Sequence, residues 1–404
     1  MPNSLTSVDD LRDRILGDIE PLPAYPQQLM DAFGLASAED VHADVSLPGF
    51  DNSSHDGYAV RFEDVATATE QRPVHLPVVG EIAAGQAGLL ALSPGTSAKI
   101  MTGAPMPTGA DTVVPYEWTD RGVARVVITR APSDRGEHVR LLGDDVRQGD
   151  LVLSEGAILG PRQLGLLAAV GRATVATRPR PRVVILSTGS ELREPGQPLG
   201  HDSIYDGNSY LLAAAVRRAG AIAYRVGIVP DEPAKFLEAL NDQLVRADLV
   251  ITSGGVSQGD FDVVKEALRP EGVWFGGVAM QPGKPQGYGR VGEDRIPIFT
   301  LPGNPVSAYV SFRVFVLPAL RRLMGMRPEV APTVSARLTH AVTSRPGLRQ
   351  FLRAEYDGSS VSPVGGPGSH LIGDLAQANA LLVVPEETTG LEAGATVDVL
   401  PLDD

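Results

Sequence analysis

The run Asp248-Leu249-Val250-Ile251-Thr252-Ser253-Gly254-Gly255-Val256-Ser257-Gln258-Gly259-Asp260 decides how this chain is read. Its apolar part is too short for a typical helix and reads as a buried strand. The strand empties into a polar loop with two adjacent glycines. Glycines there let a backbone approach a ligand, and successive N–H groups can form a nest for a phosphate or other anion. Asp260 and Asp262 follow at or near a helix start. The same residues also read as a tight turn with an Asp helix cap. Taken alone, the loop leaves both readings open.

Strand patterns recur outward from this run at 182–187, 223–229, 273–278 and 296–301. Helical patterns lie between and after them at 208–219, 233–245, 261–268 and 305–324. This alternation predicts an α/β unit with a parallel sheet and helices on both faces. Ligands of such sheets sit at the carboxyl ends of the strands. The strand ends here are polar: Ser187-Thr188-Gly189-Ser190-Glu191, Asp231, and Pro302-Gly303-Asn304-Pro305-Val306-Ser307. Glu191, Asp231 and Asp262, with no cysteine or histidine cluster, suit a hard cation such as Mg²⁺ beside phosphates. Singly, each acid reads as a helix cap or a solvated loop charge. Pro282-Gly283-Lys284-Pro285 holds one of only four lysines in a proline-stiffened loop. A fixed cation facing an anion would suit it, as would a surface turn.

The flanks differ in character. Residues 5–40 read as helical, with Leu5, Val8, Leu11, Ile15 and Ile19 at helical spacing. A second helix is expected over 26–33, closed by Gly34. Short β-prone runs between Gly/Pro turns fill 49–140, including 74–79 and 123–129. A β and helix mixture around 163–170 follows, then a stiff linker at Arg178-Pro179-Arg180-Pro181. Residues 330–404 return to strands at 334–338, 381–384 and 396–400.

Composition narrows the function. The chain has 404 residues, a net charge of −14, 43% hydrophobic residues and no cysteine. Disulfides, thiolate metal sites and thiol nucleophiles are excluded. The acidity argues against general nucleic-acid binding. No apolar run approaches the ~18 residues of a membrane span, and the first twenty residues carry no signal-peptide core. A cytoplasmic location is therefore expected. Gly and Pro together make up about 19% of the chain, against ~12% on average, which predicts many tight turns in a folded protein.

Seven segments, in order, resemble the molybdopterin molybdenumtransferase family (MoeA, and the E domain of gephyrin and its plant relatives). They are PGFDNSSHDGYAV (48–60), KIMTGAPMPTGADTVV (99–114), GDDVRQGD (143–150), PRVVILSTGSEL (181–192), DLVITSGGVSQGD (248–260), PGKP (282–285) and LPGNPVSAYVSF (301–312). The resemblance implies a multidomain α/β and β fold. Residues 1–48 and 141–178 would form an elongated N-terminal domain, 49–140 an inserted β-rich domain, 179–328 a three-layer α/β molybdopterin-binding domain related to molybdopterin adenylyltransferases, and 329–404 a C-terminal β-barrel-like domain. It also implies a homodimer whose cleft joins the α/β domain of one subunit to the inserted domain of the other.

The reaction implied is insertion of molybdate into adenylylated molybdopterin, with Mg²⁺ and release of AMP. By motif position, Asp56, Glu191, Asp231 and Asp262 match catalytic acids, and the last three also match metal ligands. Thr102 and Asp145 match functional residues of the inserted and N-terminal domains. Thr188, Ser253, Gly254, Gly255 and Ser257 would bind the pterin phosphate side, with Pro302 and Asn304 beside them. Pro282, Lys284 and Ser307 border the anion pocket, and Arg349 and Ser369 match its far wall. Departures are Gly277 and Gln281 at usual lysines, His55 at a usual Met, Ser190 at a usual Asp and Gln258 at a usual Val. A lost charge-assisted hydrogen bond is worth ~1.5–3 kcal/mol, so two missing lysines predict weaker anion binding. The alternatives are a gephyrin-like dimeric scaffold, holding a short peptide of a membrane or cytoskeletal partner, and a protein that stores or delivers cofactor without turnover.

Overall fold

A computed structural model of the protein describes residues 5–85, 90–255 and 262–402. Its centre is a six-stranded sheet in the order Ile222–Val229, Arg182–Thr188, Leu249–Ser253, Ile296–Leu301, Pro285–Val291, Trp274–Gly277. The first four strands are parallel, as the alternating pattern predicts. The last two are antiparallel, which corrects the expectation of a wholly parallel sheet. No helix separates them. The chain folds back through Pro282–Lys284, so the returning strand can only pair antiparallel. That returning strand is rich in glycine and lacked a clean apolar pattern in the sequence.

Both sheet faces are covered. On one side Phe236, Leu240, Val264 and Leu268 pack on Val184, Leu186, Val250 and Ile298. On the other, Leu212, Val216, Phe315 and Leu320 pack on Val183, Ile185, Ile251 and Phe299. The predicted long helix begins at Pro305 and runs to Leu323, interrupted by a π-helical turn at Phe312–Val316. Pro318 follows that turn. It has no N–H, and its ring would crowd the Val314 carbonyl of a regular helix, so a widened turn relieves the conflict.

The N-terminal helix is shorter than expected, Val8–Asp18, capped by the Ser7 hydroxyl accepting from the Asp10 N–H at 3.0 Å. Its apolar stripe, Val8, Leu11 and Ile15, joins the core of the α/β sheet. The expected helix at 26–33 is absent. Tyr25–Gln28 is a strand paired antiparallel with Thr174–Thr177, and a turn follows. Met30 and Phe33 point to solvent, so no apolar face existed to hold a helix there. A small core of Ala32, Val41, Leu153, Leu159, Leu164, Leu167 and Val175 joins this segment to residues far along the chain.

Between these parts lies a five-stranded sheet, ordered Thr112–Pro115, Gly57–Val60, Ser97–Ile100, Val74–Ile82, Arg125–Ile128. The linker at 178–181 is pinned rather than free: the Arg178 Nη1 donates to the Leu22 carbonyl at 2.8 Å. Near the C-terminus Arg349–Tyr356, Ser360–Pro363, Val334–Leu338, Thr396–Pro401 and Ala380–Val384 close into a five-stranded barrel. Met280–Gln281 pairs with its Arg349–Gln350 edge, tying the barrel to the hairpin of the α/β sheet. The protein is thus a multidomain α/β fold with a C-terminal barrel, as the sequence implied. No helix among the described residues is long and apolar enough to cross a membrane.

Candidate functional site at the strand ends

Three parallel strands end side by side, with Ser187 paired to Ser253 and Ser253 to Leu301. The backbone turns sharply after each. Gly254 has φ +95° and Gly255 φ +67°. A Cβ on Gly254 would stand 2.9 Å from the Thr188 carbonyl oxygen, and one on Gly255 would stand 2.7 Å from Val264 Cγ2. Only glycine satisfies both demands, so these two residues let three loops close against one another. The remainder of the motif, including Ser257, Gln258 and Asp260, lies outside the described residues.

The loops are cross-linked. Asn208 Nδ2 donates to Ser253 Oγ at 2.9 Å and to the Gly303 carbonyl at 2.6 Å. Asn304 Nδ2 donates to Ser369 Oγ at 2.9 Å, and the Val306 N–H donates to the Ser369 carbonyl. The structure links Ser253 and Gly254 to the Gly303-Asn304 loop, and that loop to Ser369. Pro302 and Ser307 are buried beside them. The hydroxyls of Ser187, Thr188, Thr252 and Thr300 are buried without a hydrogen-bond partner among the described residues. Orphaned buried hydroxyls are uncommon and call for a water or a ligand.

The acids sit at the rim. Ser190 donates to Asp231 Oδ2 through its N–H at 2.8 Å and its hydroxyl at 3.0 Å. Glu191 and Asp231 are exposed, and Asp262 sits just before the helix Val263–Leu268. Among the described residues no three His, Cys, Asp or Glu side chains converge to hold a metal ion. Mg²⁺ does not need such a cage: it is commonly held by one or two carboxylates plus substrate phosphates and water. The all-oxygen donors at these strand ends fit that mode, with a phosphate completing the set.

The PGKP loop is held from below. Gln286 Nε2 donates to the Gly283 carbonyl and to Ser311 Oγ, each at 2.6 Å. Lys284 beside Pro282 is exposed, and its ammonium has no partner among the described residues. Gly277 and Gln281, where the resemblance expects lysine, make other contacts. A Cβ on Gly277 would lie 2.7 Å from Leu5 Cδ2, because Leu5-Thr6 pairs alongside. Gln281 Oε1 accepts from Gln350 Nε2 at 2.9 Å.

Arg349, expected on the anion pocket's wall, is engaged elsewhere. It grips Asp9 through both Nη atoms at 3.0 and 2.7 Å and Glu386 at 2.9 Å. Hydrogen bonding to Asp9 holds its guanidinium firmly charged despite desolvation. Sequence reasoning passed over Arg353, buried four residues later. Its Nη1 donates to the Gly368 carbonyl at 2.9 Å and its Nη2 to that of Gly366. It thereby fixes the loop that presents Ser369. It also lines a cavity of about 470 Å³ with Gln281, Gln350 and Arg345. Asp206 and Asn208 were passed over too. Asp206 is 1% exposed, accepts from the Ser209 N–H at 3.0 Å, and faces Arg225 at 4.0 Å. Their available signal was the Asp206-Gly207-Asn208 turn ahead of an amphipathic helix.

A second cluster lies on the five-stranded sheet. Thr102 donates to Asp56 Oδ1 through its N–H at 2.7 Å and its hydroxyl at 2.8 Å. These bonds hold the Asp56 carboxyl below its ordinary value, because hydrogen bonds to the charged form favour it. Asp145 lies in another turn, its N–H donating to the Leu47 carbonyl.

Comparison with known proteins agrees with this architecture. Residues 6–171 match the family description "MoeA N-terminal region (domain I and II)", 184–322 "Probable molybdopterin binding domain", and 335–402 "MoeA C-terminal region (domain IV)". A Mycobacterium tuberculosis protein named molybdopterin molybdenumtransferase 2 is 50% identical over 383 residues, covering 93% of this chain and 94% of that one. The molybdopterin molybdenumtransferase of Haemophilus influenzae is 34% identical over 408 residues, covering 99% of each. The crystal structure of the molybdopterin biosynthesis MoeA protein of Pyrococcus horikoshii superposes with a TM-score of 0.86 at 29% identity, covering 98% of this chain and all of that one. With glycine loops, barrel and strand-end acids in one collinear arrangement, the chain belongs to the MoeA, or molybdopterin molybdenumtransferase, family.

Proposed function

We propose that the protein inserts molybdate into adenylylated molybdopterin and releases AMP. The observation that carries this reading is the strand-end site, where glycine loops, orphaned hydroxyls and rim carboxylates meet on a scaffold shared with full-length transferases. The Gly254-Gly255 turn and Ser253, with Ser257, would cradle the pterin phosphate, and Asn208 would keep two of the loops in register. Glu191, Asp231 and Asp262 would hold Mg²⁺, which when bound offsets phosphate charge and polarises the anhydride. Ser190 fixes the Asp231 carboxylate in one orientation. Lys284, Ser307 and Ser369 would receive molybdate, with Arg353 positioning Ser369.

Asp56 and Thr102 sit on a different sheet from these groups. A homodimer in which the partner's inserted region, residues 49–140, closes over the α/β domain, residues 179–328, would unite the two clusters. The other domains are taken as 1–48 with 141–178, and 329–404. A cytoplasmic location suits this chemistry. The relatives named as transferases favour the enzyme over the peptide-binding scaffold.

The test is release of AMP and formation of active cofactor from adenylylated molybdopterin, molybdate and Mg²⁺ by the purified protein. Glu191→Gln is expected to slow AMP release by about a hundredfold. Full activity in that variant, or none in the native protein beside an active relative, overturns the reading.

A further inference from the structure

Beside Asp56 lies a stack that the proposed reaction leaves unused. Arg130 sits 4.2 Å over the Trp118 ring. Trp118 meets His138 edge-on at 5.3 Å, and His138 meets His55 at 4.3 Å. His55 is exposed and adjoins Asp56 in the chain. Its Nδ1 is within 2.8 Å of Ser54 Oγ, and its Nε2 has no hydrogen-bond partner among the described residues. His138 is more enclosed, held at φ +64°, and its carbonyl accepts from both the N–H and the hydroxyl of Ser54. The same short segment thus fixes both imidazoles in contact.

Two touching imidazoles resist a second proton, because like charges at this distance disfavour each other. The surroundings decide where a single proton resides. Burial, and then His55, push the His138 imidazole below its ordinary value, while Glu137 at 3.7 Å opposes this and Arg130 adds to it. On the other side His55 faces the Asp56 carboxylate, and Tyr116 beyond stays a neutral phenol, its hydroxyl pushed up by burial and by Asp56. The charged form is therefore disfavoured at His138.

We propose that His55, sharing one proton with His138, is a positioning residue that supplies a removable positive charge beside Asp56 and sets how tightly this site holds a phosphate ester. With the proton present, the charge of Asp56 is balanced and a phosphate approaches freely. When the proton leaves, an uncompensated carboxylate repels it. The inference rests on the reading of Asp56 as part of a site that handles adenylylated substrate.

The experiment compares the full-length protein with His55→Gln, using AMP as probe at pH 6 and pH 8. Taking the ratio of the two affinities at each pH cancels the titration of AMP itself. Native protein is expected to bind about fivefold tighter than the variant at pH 6 and equally at pH 8, the size of one charge contact near a protein surface. In parallel, imidazole NMR from pH 5 to 8 reads the pair directly. The His138 signal is expected to titrate at higher pH in His55→Gln than in the native protein. An unmoved His138 titration, or equal AMP binding by both proteins at pH 6, overturns the proposal alone. Failure of the native protein to bind AMP overturns it together with the AMP step of the proposed reaction.

Discussion

The strand-end cluster and the Asp56–Thr102 cluster are built by opposite means. The first is made of backbone: two left-handed glycines, a carbonyl 2.9 Å from where a side chain would begin, and loops tied by one asparagine. The second is made of exposed side chains, one carboxylate held by one threonine. Packed backbone tolerates almost no change, because its geometry is shared with the core beneath. An exposed clamp tolerates substitution and instead changes its proton affinity. The lesson is that one protein's two candidate half-sites should fail differently: one by unfolding locally, the other by titrating.

The largest expected effect breaks the first cluster. Gly255→Val should destabilise the protein by about 3 kcal/mol, from positive-φ strain and overlap with Val264, read as a lower calorimetric melting temperature. A near-native melt would mean that the loop is not locked. Asn208→Ala should cost about 2 kcal/mol by leaving Ser253 and Gly303 without their shared donor, with AMP release falling alongside stability.

Arg349→Met tests the fastening between N-terminal helix and barrel. Its ion pairs with Asp9 and Glu386 are part-exposed, so solvent screening limits the loss to about 1 kcal/mol, and the loss should shrink in high salt. Arg349 also lowers the Asp9 carboxyl. That contribution is present above the ordinary carboxyl value of 3.8 and disappears as pH falls through the depressed folded value. The difference between variant and native protein should therefore narrow in acid.

The smallest stability effect belongs to the second cluster. Thr102→Val should change stability by less than about 0.5 kcal/mol. Asp56 loses one of the two bonds that depress it, so its carboxyl rises toward 3.8 and the acid limb of the activity profile moves to higher pH. A melt that drops as far as that of Gly255→Val would erase the contrast between the clusters.

Much of this was legible in the chain. The strand at 248–252 was legible because its apolar run is short and closed by a polar, glycine-bearing loop. The barrel strand Val334–Leu338 was read to the residue, since alternation is a local property. The strand Pro285–Val291 was missed because its glycines leave no clean apolar pattern, and the strand Tyr25–Gln28 because it exists through a distant partner. Asp206 and Arg353 were missed because burial, not residue type, gives them their role. Arg349 resembled a ligand-wall cation by position, yet Asp9 and Glu386 occupy it. The net acidity, which argued against general nucleic-acid binding, gives no guide to a local cleft.

Periodicity and glycine placement are local, so the α/β core, the strand-end loops and the absence of thiol chemistry could be read from the chain. What meets across the chain is not local. Tertiary structure alone decided that Leu5 covers Gly277, that Gln350 engages Gln281, and that His138 comes to rest against His55. Each of those contacts joins residues whose spacing carries no pattern, and only the packing of separate elements brings them within a bond's reach.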